Sequence, residues 1–114
     1  MRVKKAIILG AGFGKRMLPI TKKIPKPLVK INGITLLENS IKFLISLGIK
    51  DIMVIAPAFS VDCLETIEEI DQENKEIFTK AGGNNFEYIP CLNDSQGQIR
   101  LIQEILNKHI SVFK

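Results

Sequence analysis

Short uninterrupted apolar runs alternate with stretches whose apolar residues recur every three or four positions, and this alternation organises the chain. Lys5-Ala-Ile-Ile-Leu9 has the length of a strand and stops at a glycine cluster, the pattern of a strand buried on both faces. Leu36, Leu37, Ile41, Leu44 and Ile45 share one helical face, and Gly48 stands just past Leu47, so a helix is predicted from about Leu36 to Leu47. Asp51-Ile-Met-Val-Ile55, closed by Pro57, reads as a second buried strand. Ser60 or Asp62 can cap the next helix, whose apolar positions are Val61, Leu64, Ile67 and Ile70. After Gly82-Gly83, Phe86-Glu-Tyr-Ile89 gives a third strand, and Ile99, Ile102, Ile105 and Leu106 mark a helix from about Gln98 to Lys108.

Strands alternating with helices of this length predict right-handed crossovers. The fold class is therefore α/β: a three-layer, Rossmann-like parallel sheet with helices on both faces. Ile110-Ser-Val-Phe113 reads as a fourth strand at which the chain stops without a turn, so the sheet is expected to be truncated there. No internal repeat, low-complexity segment or interdomain linker interrupts residues 1–114, which read as one unit.

Between the first strand and the first helix the pattern breaks down. Gly10-Ala-Gly-Phe-Gly14 does not continue a strand, and Pro19, Pro25 and Pro27 forbid a regular helix, leaving an irregular loop to about Pro27. Loops of that length are usually functional. Charge concentrates in the same region: Arg2, Lys4, Lys5, Lys15, Arg16, Lys22, Lys23, Lys26 and Lys30 face no acidic residue before Lys30, which accounts for a net charge of +4. That segment calls for an anion. With one Tyr and no Trp, a stacking platform for single-stranded nucleic acid is poorly supplied, and a small polyphosphate is the better fit. No apolar run approaches the ~20 residues of a membrane span, and no signal peptide is legible, so the expected location is the cytoplasm. Cys63 and Cys91, without metal or redox spacing, read as small buried hydrophobes in a reducing compartment.

The loop itself offers phosphate chemistry. Glycines after a strand let backbone N–H groups approach phosphate oxygens, and Lys15 and Arg16 add charge, Arg16 with a fork that grips two oxygens. Neither common phosphate motif fits: the dinucleotide pattern needs glycine where Lys15 stands, and the P-loop needs glycine at Leu9 and Ser or Thr at Arg16.

Leu9-Gly-Ala-Gly-Phe-Gly-Lys-Arg16, Pro19-Ile-Thr21, Pro25-Lys-Pro-Leu28 and Gly33, in that order, resemble the sugar-phosphate nucleotidyltransferases, or nucleoside-diphosphate-sugar pyrophosphorylases. The resemblance is carried by the first half of the chain; the second half agrees in pattern only. It implies that residues 1–114 are the N-terminal, nucleotide-binding part of an enzyme that transfers a nucleoside monophosphate from a triphosphate to a phosphorylated small molecule, releasing pyrophosphate with Mg2+. A sugar 1-phosphate is the first expected acceptor; Pro25-Lys-Pro-Leu28 and Gly33-Ile-Thr35 also look like the phosphocholine cytidylyltransferase branch. By the same resemblance Leu9, Gly10, Ala11, Gly12, Gly14 and Lys15 wrap the nucleotide, and Gly97-Gln98 stand for a pair beside the base. Arg16 holds the leaving pyrophosphate and Lys26 the phosphate where substitution occurs. The base-reading glutamine would fall near Cys91 or Leu92, and the metal-binding aspartate has no match, with Asp94 a stand-in. A homo-oligomer fits the family. A non-catalytic nucleotide-binding module and a basic nucleic-acid-binding domain are the competing classes.

Glu65, Glu68, Glu69, Asp71, Glu73 and Glu76 read as one solvated helix face. His109 falls in the last turn of a helix, where a cation suits the dipole.

Overall fold

The computed structural model describes residues 3–10, 12 and 14–113. Ala11, assigned above to the nucleotide, Phe13 of the same loop, Arg2 of the basic segment and Lys114 lie outside the described residues.

Strand β1 (Lys5–Leu9) leads into three single-turn 3-10 helices, Lys15–Met17, Ile20–Lys22 and Lys26–Leu28. The long loop is thus a chain of tight turns, with proline fixing φ at the start of the second and inside the third. Strands β2 (Lys30–Ile31) and β3 (Ile34–Thr35) form a small antiparallel hairpin. Its turn is Asn32-Gly33, at φ 52° and 81°, the left-handed pair that a two-residue hairpin turn needs. Helix α1 (Leu36–Ser46) follows directly, capped by Thr35, whose hydroxyl oxygen accepts the Glu38 backbone N–H at 3.0 Å. Gly48 then takes the left-handed conformation, φ 78°, that ends the helix.

Strand β4 (Asp51–Ile55), a π-helix (Glu65–Glu73), helix α2 (Asn74–Lys80), strand β5 (Asn85–Ile89) and helix α3 (Gln96–His109) complete the order. Neither Ser60 nor Asp62 caps the helix after β4: that helix starts behind Leu64 with no side-chain cap, because the Asp62 carboxylate is taken by other partners. The expected fourth strand is not formed. Residues 110–113 continue α3 as a 3-10 turn, β-branched Ile110 and Val112 notwithstanding, since local propensity yields where no neighbouring strand offers a ladder.

The main sheet is parallel, in the order β1-β4-β5, with Lys5 opposite Asp51 and Asp51 opposite Asn85. The class is the expected one, α/β with a Rossmann-like parallel sheet. Both crossovers step the same way across the sheet, so right-handedness puts α1 and α2 on one face. On that face Ile52, Val54, Leu37, Ile41, Ile70 and Phe78 form the core, with the Phe78 and Phe86 rings 5.9 Å apart at a tilt of 53°. Ile7, Leu9 and Met53, on the opposite face, are exposed. Helix α3 buries no residue and projects from the body, giving a radius of gyration of 17.1 Å where a compact chain of this length would have about 13 Å.

Candidate functional site

Glycines around β1 are needed by the fold first. Gly10 is buried and its N–H already donates to the Ile55 carbonyl at 2.7 Å, so it has no free donor for a phosphate. Gly14, at φ 55°, presents its carbonyl to the Met17 N–H and the Thr21 hydroxyl, each at 2.7 Å. Lys15 and Arg16 are exposed on the turn that follows. Lys26 lines a groove of about 170 Å³ with Leu9 and Gly10, and Gly14 backs onto it; Gly12 borders a different groove, beside Thr21 and Lys22. Gly97 and Gln98 sit elsewhere, in the first turn of α3. The Gln98 amide donates to the carbonyls of Asn93, at 2.9 Å, and Ser60, at 3.2 Å, so it fastens two loops together. The residues assigned from the resemblance that the structure describes are thus split among three places.

At the carboxyl ends of β4 and β5 a polar hub forms that the sequence did not announce. The Asp62 carboxylate accepts the Asn93 amide at 2.8 Å, the Tyr88 hydroxyl at 2.9 Å, the Thr66 hydroxyl at 3.0 Å and the Cys91 backbone N–H at 3.2 Å. Burial works to raise its pKa, but these donors, Asn93 foremost, outweigh it and hold the group near 2. Burial, the Cys91 thiol and the hydrogen bond to Asp62 push the Tyr88 phenol up. Burial raises the Cys91 thiol as well, with Asp62 adding to it, so Cys91 stays protonated and inert; Cys63 and Cys91 are both free and only partly buried.

The row of acids is more than a solvated face. Glu65, Glu69 and Glu73 stand four residues apart on the π-helix, along one stripe, and line a groove of about 520 Å³. Glu65 and Glu69 are half-buried there. Ile20, Ile24, Pro25, Leu28 and Val29 supply the apolar part of its lining, and Lys23, Lys30 and Thr35 line it as well. A π-helix is rare and concentrates at functional sites; here buried Asn74 donates its side-chain amide to the Glu69 carbonyl, satisfying a backbone group within the widened ladder. The Cys63 thiol and its own backbone N–H hold the Glu65 carboxyl below the usual range, favouring the ionised form. Among the described residues the only ion pairs are Lys42 with Glu38 and Lys80 with Glu76, so the acids and lysines of this groove do not neutralise one another. No three His, Cys, Asp or Glu side chains among the described residues converge closely enough to hold a metal by themselves. The four-residue spacing of Glu65, Glu69 and Glu73 is the signal that could have drawn attention to them; nothing local in the sequence links Asp62 to Asn93.

No helix among the described residues is long and apolar enough to cross a membrane. Among solved structures, the chain is similar to UDP-glucose pyrophosphorylase complexed with UDP-glucose, with a TM-score of 0.52 and 21% identity over 76% of this chain and 34% of that one, a likeness of fold alone. A CTP:phosphocholine cytidylyltransferase from Streptococcus pneumoniae aligns with a TM-score of 0.47 and 32% identity over 78% of this chain and 33% of that one. The sequence itself matches elsewhere. The ferrochelatase family model covers residues 36–110. A ferrochelatase of Yersinia enterocolitica serotype O:8 is 51% identical over 74 residues, 65% of this chain and 23% of the relative. One of Hamiltonella defensa is 56% identical over 70 residues, 61% of this chain and 22% of the relative. The chain thus spans about a quarter of the length of the curated relatives it matches.

These matches overturn the nucleotidyltransferase reading in its family, its reaction and enzyme class, and its partners, a nucleoside triphosphate and a phosphorylated acceptor. The motifs that carried the resemblance, Leu9 to Gly33, stand outside the matched segment, whereas its looser continuation from Leu36 to Ile55 and the Gly97-Gln98 pair fall inside it. Parallel α/β folds share strand-helix periodicity whatever they bind, so periodicity lent support it could not carry. With residues 36–110 matched, this chain belongs to the ferrochelatase family.

Proposed function

We propose that the chain is part of an enzyme that inserts ferrous iron into a porphyrin, and that the groove beneath the π-helix is where it acts. The observation that carries this reading is the row Glu65, Glu69 and Glu73, within the family-matched segment, lining one open groove together with an apolar set of side chains. A flat macrocycle suits Ile20, Ile24, Pro25, Leu28 and Val29, and the volume of about 520 Å³ lies in the usual range for small-molecule sites. The carboxylates do the rest. Insertion exchanges the two pyrrole N–H protons for the divalent ion, so the protein must pass on a cation and accept two protons. Ionised carboxylates spaced along one stripe do both: oxygen donors hold ferrous iron loosely, without a closed cage, and become proton acceptors once it has left. The lowered pKa of Glu65 keeps its end of the row charged for the incoming ion.

The free Cys63 and Cys91 fit a cytoplasmic location for this reaction. The test is anaerobic incubation of the chain with free-base porphyrin and ferrous iron, following the loss of free-base fluorescence. Quenching faster than in protein-free buffer, and slower with Glu65→Gln, is expected. A porphyrin neither bound nor metallated above the buffer rate would overturn the reading.

A further inference from the structure

The buried face of the π-helix runs straight into that of α2: Thr66, Ile70, Asn74 and Phe78, four residues apart, are each 2% exposed or less. Glu65, Glu69 and Glu73, the row that lines the groove, each precede one of the first three by a single position. Where the row points is therefore set by how the buried stripe is held. Among the described residues Thr66 and Asn74 are the only buried polar side chains. One stands in the first turn of the π-helix, the other just past its last residue.

Each end is tied through one of them. At the start, the Thr66 hydroxyl accepts the Cys63 backbone N–H at 2.9 Å and donates to the Asp62 carboxylate at 3.0 Å. At the other end the ladder changes. Bonds of the i→i+5 kind would pair the Glu69 carbonyl with the Asn74 backbone N–H, but that N–H turns to the Asp71 carbonyl, and the Asn74 side-chain amide takes the Glu69 carbonyl in its place. The Asn74 side-chain oxygen is left buried with no partner among the described residues, a cost that an apolar side chain of similar volume would avoid.

We propose that Thr66 and Asn74 are positioning residues that hold residues 65–73 in the wide π turn and so keep Glu65, Glu69 and Glu73 on one groove. This rests on the function proposed above and adds to it the pair of groups that aim the carboxylates. The turn sets the angle between members of the row. In an α-helix of 3.6 residues per turn, positions eight apart such as Glu65 and Glu73 diverge by about 80° around the axis, whereas the wider turn carries the row back the other way. With Ile70 kept in the core, relaxation to an α-helix swings the ends of the row out of the groove.

The experiment titrates Mn2+, an air-stable stand-in for ferrous iron, into the chain and into three variants, read by electron paramagnetic resonance. Thr66→Val and Asn74→Leu keep the shape and remove the polar group; Thr66→Ser keeps the hydroxyl. Iron-insertion rates, porphyrin affinity and urea midpoints are measured on the same preparations. Thr66→Val and Asn74→Leu should each weaken Mn2+ binding and slow insertion by about tenfold or more, the usual consequence of losing a group that orients metal-facing side chains, with porphyrin affinity unchanged. Thr66→Ser should retain both. Asn74→Leu should keep the parent's urea midpoint, because it removes the unpartnered oxygen and the tightened ladder satisfies the Glu69 carbonyl, so lost stability does not account for its lost activity. Unchanged Mn2+ affinity and insertion rate in both apolar variants would overturn the positioning role and leave the porphyrin reading standing. Losses that follow the urea midpoint in every variant, Thr66→Ser included, would also overturn it. An unaltered chain that takes up neither Mn2+ nor porphyrin would remove the porphyrin reading and the positioning role with it.

Discussion

Asp62 and Asn93 are joined reciprocally across 31 positions: the Asn93 amide donates to the Asp62 carboxylate at 2.8 Å, and the Asp62 backbone N–H donates to the Asn93 side-chain oxygen at 2.8 Å. The loops after β4 and β5 are thereby locked to each other, and the loop after β4 leads into the π-helix that carries the acid row. Asn93→Ala breaks both bonds and leaves a partly buried carboxylate short of its best donor. The expected cost is about 2–3 kcal/mol, read from urea denaturation.

The same hub sets an acid limit. The Asp62 carboxyl titrates near 2 in the fold and near its ordinary 3.8 when unfolded, so its contribution is present above pH 4 and disappears as pH falls toward 2. Asp62→Asn should flatten the stability profile over that window and lower stability at neutral pH. Urea midpoints measured from pH 6 to pH 2 would show it; a variant with the parent's slope would exclude Asp62 as the source.

Gly83 lies against the Phe78 ring so closely that any Cβ there would overlap it. Phe78 is fully buried at the centre of the core and cannot swing aside without opening a void. Gly83→Ala should therefore cost about 1–3 kcal/mol, well above the few tenths typical of a surface glycine. Thermal melting decides between these.

Thr35→Ala removes the hydroxyl that caps α1 and is expected to cost about 1 kcal/mol, with Thr35→Ser restoring most of it. Denaturant midpoints for the two variants should differ in that order.

For the chemistry, Glu69→Gln should slow iron insertion by about a hundredfold or more while porphyrin binding changes little, because the amide keeps the shape and loses both the charge and the proton acceptor. Fluorescence titration and insertion rates on the same preparation separate the two effects; an unaltered rate would exclude Glu69 from the reaction.

Much of the fold was legible because burial imposes period. β1, β4 and β5, and helices α1 and α3, fall within a residue or two of where the apolar pattern put them. Two errors have one source: Ile110-Ser-Val-Phe113 and the capping role of Ser60 or Asp62 were judged from local preference, and tertiary partners decided otherwise. Two further local signals stand in the sequence, each with a direct mechanism: Thr35-Leu-Leu-Glu38 as a capping box and Asn32-Gly33 as a hairpin turn. The site was less legible. Acids at four-residue spacing look the same on a solvated helix and on one that walls a groove, because the difference lies in what packs opposite, here Ile24, Leu28 and Val29 from a distant turn.

A sheet ordered β1-β4-β5 has two lateral margins, and among the described residues neither is paired to another strand. Unpaired margins are templates for runaway strand addition between molecules. Charge guards both: Lys4 and Lys5 at the head of β1, Glu87 in the middle of β5. Replacing Lys5 or Glu87 with valine removes one of these charges and is expected to favour strand addition between molecules.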